Sequence, residues 1–359
     1  MVFTPFDLVV EILIRLPVNS IARFKLVSKR WCSSISNPHF IASQLEHAKR
    51  KKDQCLLLSC TTQENLQFYS VKDGALANFE YSAPSIDDSY HVMPSCNGLV
   101  CFYGINFGGI NVCNPITKNL IKLPSSDSML ECLLSCGFGF SEVNHEFKVI
   151  KMSRRKQTVI GNDDDLKFEI HTLGSQSWRN VQSKPSATLQ NRKPPVFANG
   201  FFYWLTANSS VPGCFSIVSF DIDKEVFGVV DPPGDLLRKK WFVSCLEVLG
   251  GNLCFVDLDF ESKRRMDIWV FRGNDLGWSQ ESIVHESEPL DLARPVAING
   301  REVLLLGFQG LKYCLSWYNL KSRSFRPLEI KGTPPPTFFI ASSHVESLGV
   351  PWFTGNGEA

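Results

Sequence analysis

LVVEILIRLPVNSIARFKLVSKRW, residues 8–31, decides the architecture of this chain. Its first nine residues hold seven large aliphatics. A helix built on them is apolar on nearly every side and must be buried on several. Thr4-Pro5-Phe6-Asp7 supplies an N-cap, a proline at the first helical position and an acid that reaches back to the cap. Leu8, Ile12, Leu13 and Leu16 then recur at helical spacing until Pro17 stops the helix. Asn19 or Ser20 can cap a second short helix carrying Ile21, Phe24 and Val27. Ser28 opens a third with Trp31 and Ile35, ending at Asn37-Pro38. A fourth runs from about His39 to Lys52, with Ile41, Leu45 and Ala48 on one face and Lys49-Arg50-Lys51-Lys52 at the negative end of its dipole. A helical module of about 45 residues has little core of its own. Either the head packs on the rest of the chain, or part of its apolar surface is an interface completed by another chain.

After Gln54 the texture changes to short apolar runs separated by turns. A glycine turn followed by an apolar strand recurs at Asn97-Gly98, Gly137, Asn199-Gly200, Gly250-Gly251 and Asn299-Gly300. The intervals between these glycines are 39, 63, 51 and 49, or about 50 on average. A second element, a strand entering a polar turn and leaving as a strand, recurs as VCNPITKNLIKLP (112–124), SFDIDKEVFGVVDPP (219–233) and SWYNLKSRSFRPL (316–328). Tryptophan variants are FEIHTLGSQSWRNV (168–181) and IWVFRGNDLGWSQESI (268–283). Asn/Asp-x-x-Lys or a glycine pair is hairpin-turn chemistry. A period near 50 with about four strands per unit is the spacing of a kelch-like β-propeller, here of about six units. The closing strand is expected in TFFIASSHVESL (337–348), beside the first strand after Gln54. The expected organisation is α+β and multidomain: an all-α head (1–46), a helical linker (47–53), an all-β propeller (54–348) and a tail (349–359).

Composition removes several function classes. The net charge of +1 lacks the concentrated basic face that phosphate neutralisation requires, so nucleic acid is not expected as the partner. No apolar run approaches a membrane span and no signal peptide opens the chain, so no membrane association is expected and the compartment reads as cytoplasmic and/or nuclear. The 12 cysteines contain no Cys-x-x-Cys and read as reduced core side chains. Phosphate cradles, nucleophile elbows and metalloprotease motifs are missing, the seven histidines are scattered, and Asp163-Asp164-Asp165 reads as a solvated loop tip. No catalytic residue, cofactor or metal is expected. Of the aromatics Phe201, Phe202, Tyr203, Trp204 and Trp241, most read as blade core by strand position and alternation. The inserts 153–165 and 182–195 and the segment 232–240 are the candidate recognition loops.

The head carries a resemblance. Pro5 to Val18, Ile21 to Trp31 and Ile35 to Phe40 resemble an F-box. SCNGLVCF, NPITKNLIKLP, GFGF and HVESLGVP resemble phrases of the F-box-associated, kelch-like region of plant F-box proteins. Departures are Phe6, where a polar residue is frequent, and Leu348-Gly349-Val350-Pro351 in place of Leu-Val-Ser-Pro. The resemblance implies a non-catalytic substrate receptor of an SCF-type cullin–RING ubiquitin ligase. Its F-box would bind a Skp-type adaptor, and through it cullin and RING subunits, while the propeller binds an unidentified protein target. Carried over residue by residue, Pro5, Leu8, Ile12, Leu13, Leu16, Pro17 and Val18 form the adaptor ridge, and Ile21, Phe24, Val27 and Trp31 partly pack the module and partly extend the contact. The head holds nine Lys/Arg against four Asp/Glu, which would steer association with an acidic adaptor. The alternatives are a non-ligase propeller interaction protein and a propeller enzyme or lectin.

Overall fold

The computed structural model describes residues 5–51, 54–61, 66–72, 75–81, 90–104, 109–125, 131–155, 166–187, 189, 193–207, 215–233, 244–259, 265–273, 276–285, 291–309, 312–330 and 339–349. Four helices come first: α1 (Pro5–Ile14), α2 (Val18–Phe24), α3 (Lys29–Ile35) and α4 (Pro38–Arg50). Two of the expected caps form. Ser28 Oγ accepts from the Trp31 N–H at 3.2 Å, and Asn37 Oδ1 accepts from the His39 N–H at 2.8 Å, with Pro38 in the first turn. The second helix departs from expectation. It starts at Val18 on an uncapped Pro17, whose fixed φ of −57° sets the entry without a side-chain bond. Residues 47–50, in the expected helical linker, are the last turn of α4.

Among the described residues twenty-four strands follow in six four-stranded sheets, the blades of a β-propeller. The first blade is built from β1 (Gln54–Thr61), β2 (Leu66–Lys72) and β3 (Ala75–Tyr81), with the last strand of the chain, β24 (Phe339–Val345), on the other side of β1. The second is β4 (Tyr90–Val92), β5 (Val100–Gly104), β6 (Ile110–Asn114) and β7 (Asn119–Lys122). The third is β8 (Glu131–Ser141), β9 (Glu146–Arg155), β10 (Leu166–Thr172) and β11 (Arg179–Asn180). The fourth is β12 (Val196–Ala198), β13 (Phe201–Ala207), β14 (Phe215–Asp221) and β15 (Val226–Val230). The fifth is β16 (Ser244–Leu249), β17 (Asn252–Asp259), β18 (Arg265–Phe271) and β19 (Trp278–His285). The sixth is β20 (Asp291–Asn299), β21 (Glu302–Gln309), β22 (Lys312–Asn319) and β23 (Ser324–Pro327).

The recurring polar turn has one physical design. Asn114, Asp221 and Asn319 end a strand, and each side-chain oxygen accepts two backbone N–H bonds from the turn that follows. Four residues on, Lys118, Glu225 and Arg323 take φ between 55° and 59° and return the chain to the next strand. Asn199-Gly200 and Gly250-Gly251 form two-residue hairpin loops with both φ positive, as expected. Asn299 instead pairs with Glu302 as the last residue of β20, so that loop is Gly300-Arg301. Gly137 is a correction: it lies inside β8, as does Gly139. Cβ atoms there would stand 2.7 Å from Pro195 and 2.5 Å from the Phe197 ring, respectively, so these glycines are kept small by a neighbouring blade. Gly139→Ala is therefore expected to cost about 1–3 kcal/mol, as overpacking does, read as a fall in the denaturant midpoint.

By internal contacts the chain divides into two compact units: 1–125 with 173–176 and 340–359, and 126–172 with 177–339. In the second unit the cores lie between neighbouring blades. Phe168 and Ile170 meet Phe202 and Phe220, Tyr203 and Phe215 meet Leu253 and Phe255, and Val256 and Ile268 meet Val303 and Tyr318. The first unit holds the head and the first two blades on one apolar cluster, where Leu13, Val18, Ile21, Ile35 and Phe40 pack with Leu57, Phe68, Phe102, Ile116 and Leu348.

Residues 344–349 are fastened within that first unit. Asn114, fully buried, donates from Nδ2 to the carbonyls of Ser347 (2.9 Å) and Gly349 (2.6 Å) while its oxygen caps the turn, so its bonding capacity is filled. Ser347 Oγ donates to the Asn97 carbonyl at 3.1 Å, and Gly98, at φ 81°, leaves room for it where a Cβ would lie 2.1 Å away. His344 is 1 % exposed; its Nδ1 lies 2.6 Å from Ser95 Oγ and its Nε2 has no partner among the described residues. Burial holds this imidazole down to about 4 from an ordinary value of 6.5. Its contribution to stability is therefore intact above pH 6.5 and lost as pH falls towards 4, by about 3 kcal/mol in all. Thermal midpoints of the parent chain and His344→Gln between pH 7.5 and 4.5 test this; the parent should lose more, and parallel profiles would refute it.

Candidate functional site

Helix α1 resolves the question its composition raises by splitting its apolar residues between two sides. Leu13 is 2 % exposed, and Val9, Val10, Ile14 and Leu16 lie half-buried against the same cluster. Leu8 and Ile12, one turn apart, stand 55 % and 59 % exposed. Beside them Glu11 and Arg15 form an exposed pair at 3.3 Å, a contact worth little in water. The turn between α2 and α3 adds a second apolar point. Leu26 and Val27 are 88 % and 60 % exposed, held out by the backbone bonds Leu26 N–H to Arg23 O and Val27 N–H to Phe24 O. Exposed Arg23, Lys29 and Arg30 flank this turn in sequence. Among the described residues eight large hydrophobic side chains are exposed, and four of them belong to the helical head.

The eleven residues expected to bind an adaptor thus fall into different environments. Leu8, Ile12, Pro17 and Val27 are exposed. Leu16, Phe24 and Trp31 are half-buried, the last two in an edge-to-face pair at 5.4 Å. Leu13, Val18 and Ile21 are internal, at 2 %, 3 % and 0 % exposure. The side chain of Pro5 lies outside the described residues, as does the Thr4 cap. Leu26, the most exposed of these aliphatics, was not singled out from the sequence. Its signal is its position between the end of α2 and the Ser28 cap, where helical periodicity no longer applies.

Several aromatic and charged residues of the propeller are committed to the fold. Phe202, Tyr203 and Trp204 are buried in blade cores, as their alternation suggests, and Phe201 is half-buried beside them. Buried Lys148 donates to the Ile222 carbonyl (3.0 Å) and to Glu225 (3.1 Å), whose carboxyl is held low by Arg179 first and Lys148 after it. Lys151 pairs with Glu169 at 2.9 Å and lies over the Trp178 ring. Among the described residues no three His, Cys, Asp or Glu side chains are placed to hold a metal ion, and no helix is long and apolar enough to cross a membrane. Of the candidate recognition segments, 156–165, 188, 190–192 and 234–240 lie outside the described residues, including the Asp163–Asp165 run.

Comparison with known proteins agrees with this division. Residues 5–43 match a family model described as the F-box domain, and residues 45–349 match one described as the F-box associated beta propeller domain. An F-box/kelch-repeat protein of Arabidopsis thaliana is 27 % identical, with 89 % of each chain covered. Another F-box protein of that plant is 27 % identical over 97 % of this chain and 92 % of its own. Among solved structures, TolB of Acinetobacter baumannii aligns at a TM-score of 0.51 with 11 % identity, covering 86 % of this chain and 73 % of its own. That likeness concerns the fold alone.

Proposed function

Since this chain belongs to the F-box proteins that carry an F-box associated β-propeller domain, we propose that it is the substrate-recognition subunit of an SCF-type ubiquitin ligase. The head binds a Skp-type adaptor, and through it the cullin and RING subunits; the propeller binds the protein to be ubiquitinated. The observation that carries this reading is the concentration of exposed aliphatics in the head, four of eight among the described residues. Leu8, Ile12, Pro17 and Val27 are the contact residues, with Leu16, Phe24 and Trp31 as partly buried anchors behind them. Leu13, Val18 and Ile21 serve the interface from beneath by fixing α1 and α2 on the cluster they share with the first two blades. Cations around the Leu26–Val27 turn favour an acidic adaptor and act mainly on the association rate.

The receptor performs no bond chemistry in this role. The recruited ubiquitin-conjugating enzyme supplies the thioester, and the receptor raises the effective concentration of target lysines near it. Co-expression of the full chain with a Skp-type adaptor, followed by gel filtration, tests the proposal. A one-to-one complex is expected; a folded chain that elutes without the adaptor would leave the readings as a propeller interaction protein or a propeller enzyme or lectin.

A further inference from the structure

The fourth and fifth blades, both in the second unit, leave a cleft of about 680 Å³ between them, a volume in the range of ligand sites. Its walls are aromatic: Phe201 and Tyr203 on β13, with ring centres 6.0 Å apart, and Phe271 at the end of β18. Strand register places the polar groups among them. Tyr203 pairs with Ser219 and Phe201 with Asp221, so Tyr203, Ser219 and Asp221 share one face of the blade. Tyr203 is 5 % exposed and Ser219 8 %, yet neither hydroxyl makes a hydrogen bond among the described residues. Elsewhere such groups are used: Tyr69 donates to Gln67 at 2.6 Å and Ser244 to Asp257 at 3.2 Å. Gly228 on β15 keeps the serine hydroxyl uncovered, because a Cβ there would stand 3.0 Å from it. Asp221 Oδ1 is filled by the N–H groups of Asp223 and Lys224, while Oδ2 meets the exposed Lys224 ammonium at 3.5 Å without a hydrogen bond. Burial, and then the charge of Asp221, push the Tyr203 hydroxyl up to about 12, so at neutral pH it is a donor. Polar groups this deep normally have partners, and leaving them empty is costly.

We propose that this cleft receives a glutamine side chain from a peptide segment of the bound protein. A carboxamide carries an acceptor and donors on one planar group. Its oxygen accepts from the Tyr203 hydroxyl, and its nitrogen donates to Asp221 Oδ2 and to Ser219 Oγ. Its two methylenes lie against the aromatic walls. Charge selects a neutral guest, because the charged side chains of the cleft are already balanced: Asp221 faces Lys224, and Arg272 donates to Glu281 at 2.7 Å. A glutamate would meet Asp221, and a lysine or arginine would meet Lys224. Apolar residues beside the glutamine have a rim to rest on. Of the four exposed large hydrophobics outside the head, Val226 lines the cleft, and Leu276 belongs to the turn whose Gly273 borders it. The inference rests on the reading of the propeller as the protein-binding part of the chain.

The test uses the full chain and a fluorescein-labelled peptide, Gly-Ser-Leu-Gln-Leu-Ser-Gly, followed by fluorescence anisotropy. Saturable binding is expected, weaker by about tenfold or more when the central glutamine is replaced by glutamate, lysine or alanine. Tyr203→Phe keeps the ring and removes the hydroxyl alone; it should bind the glutamine peptide about three- to tenfold more weakly. Its thermal midpoint should match the parent's, since the hydroxyl has no partner to lose. Ser219→Ala gives a second variant with the same expected loss of affinity. Val143→Ser, which alters an exposed residue of the turn between β8 and β9, should bind as the parent does. No saturable binding, equal binding of the four peptides, or unchanged affinity in Tyr203→Phe would each overturn the proposal. Adaptor binding is measured separately on the same preparation, so failure here leaves the ligase reading standing.

Discussion

A chain carrying Leu8→Asp and Ile12→Asp is expected to elute alone where the unaltered chain elutes with its adaptor. Both side chains are more than half exposed, so the substitutions remove little from the folded monomer. In the complex each aliphatic is covered, which is worth about 1.5–3 kcal/mol for a fully buried side chain. An aspartate in its place adds the desolvation of an unpaired charge. Together the two changes should weaken binding by 100-fold or more, with the thermal midpoint of the chain alone nearly unchanged. Leu13→Asp provides the contrast. At 2 % exposure it puts the charge into the chain's own core, and the expected result is an unfolded head. Leu16→Asp mixes the two effects, since Leu16 is half-buried against the cluster. Wild-type co-elution of the Leu8/Ile12 variant would show that this face of α1 is not the adaptor contact.

The second large effect is expected at the other end of the chain. Leu348→Ala removes a fully buried side chain from the cluster shared by the head and the first two blades, at a cost of about 2–5 kcal/mol. Hydrogen exchange should then rise in α1 and α2 as well as in β4–β7, because one cluster seats all of them. Ending the chain before Phe339 goes further: it removes β24 from the first blade and leaves β1 as an open edge, which favours association with other chains. The expected product is aggregated protein. A soluble, adaptor-binding product from that truncation would mean that the head is seated without the final strand.

Much of this architecture could be read before any coordinates, because local chemistry wrote it. Proline at positions 17 and 38, Ser28, Asn37 and the Asn/Asp turns specify their own backbone geometry. The closing strand was legible from the propeller's need to leave no open edge. The misreadings in the propeller concern packing and register beyond the local dipeptide. Gly137 looks like a turn residue in sequence; it is glycine because Pro195 and Phe202, 58 and 65 positions away, press on it. The Asn299-Gly300 turn sits one residue later than its dipeptide suggests, since β20 and β21 fix the register between them. At the site the limit is different. A helix that is apolar all round does not announce which stripe faces outward, so Leu13 and Ile12 look equivalent until α4 and the first blades choose a side.

The shared seat of the head has a consequence in time. The head leaves the ribosome before the propeller, yet its cluster includes Leu348, which follows Leu13 by 335 residues. At synthesis rates of about 5–20 residues per second, that interval is roughly 20–70 s. Throughout it the aliphatic stripe of α1 has no finished chain to rest on. The cluster-facing side of α1 therefore gains its last partner only when synthesis reaches Leu348.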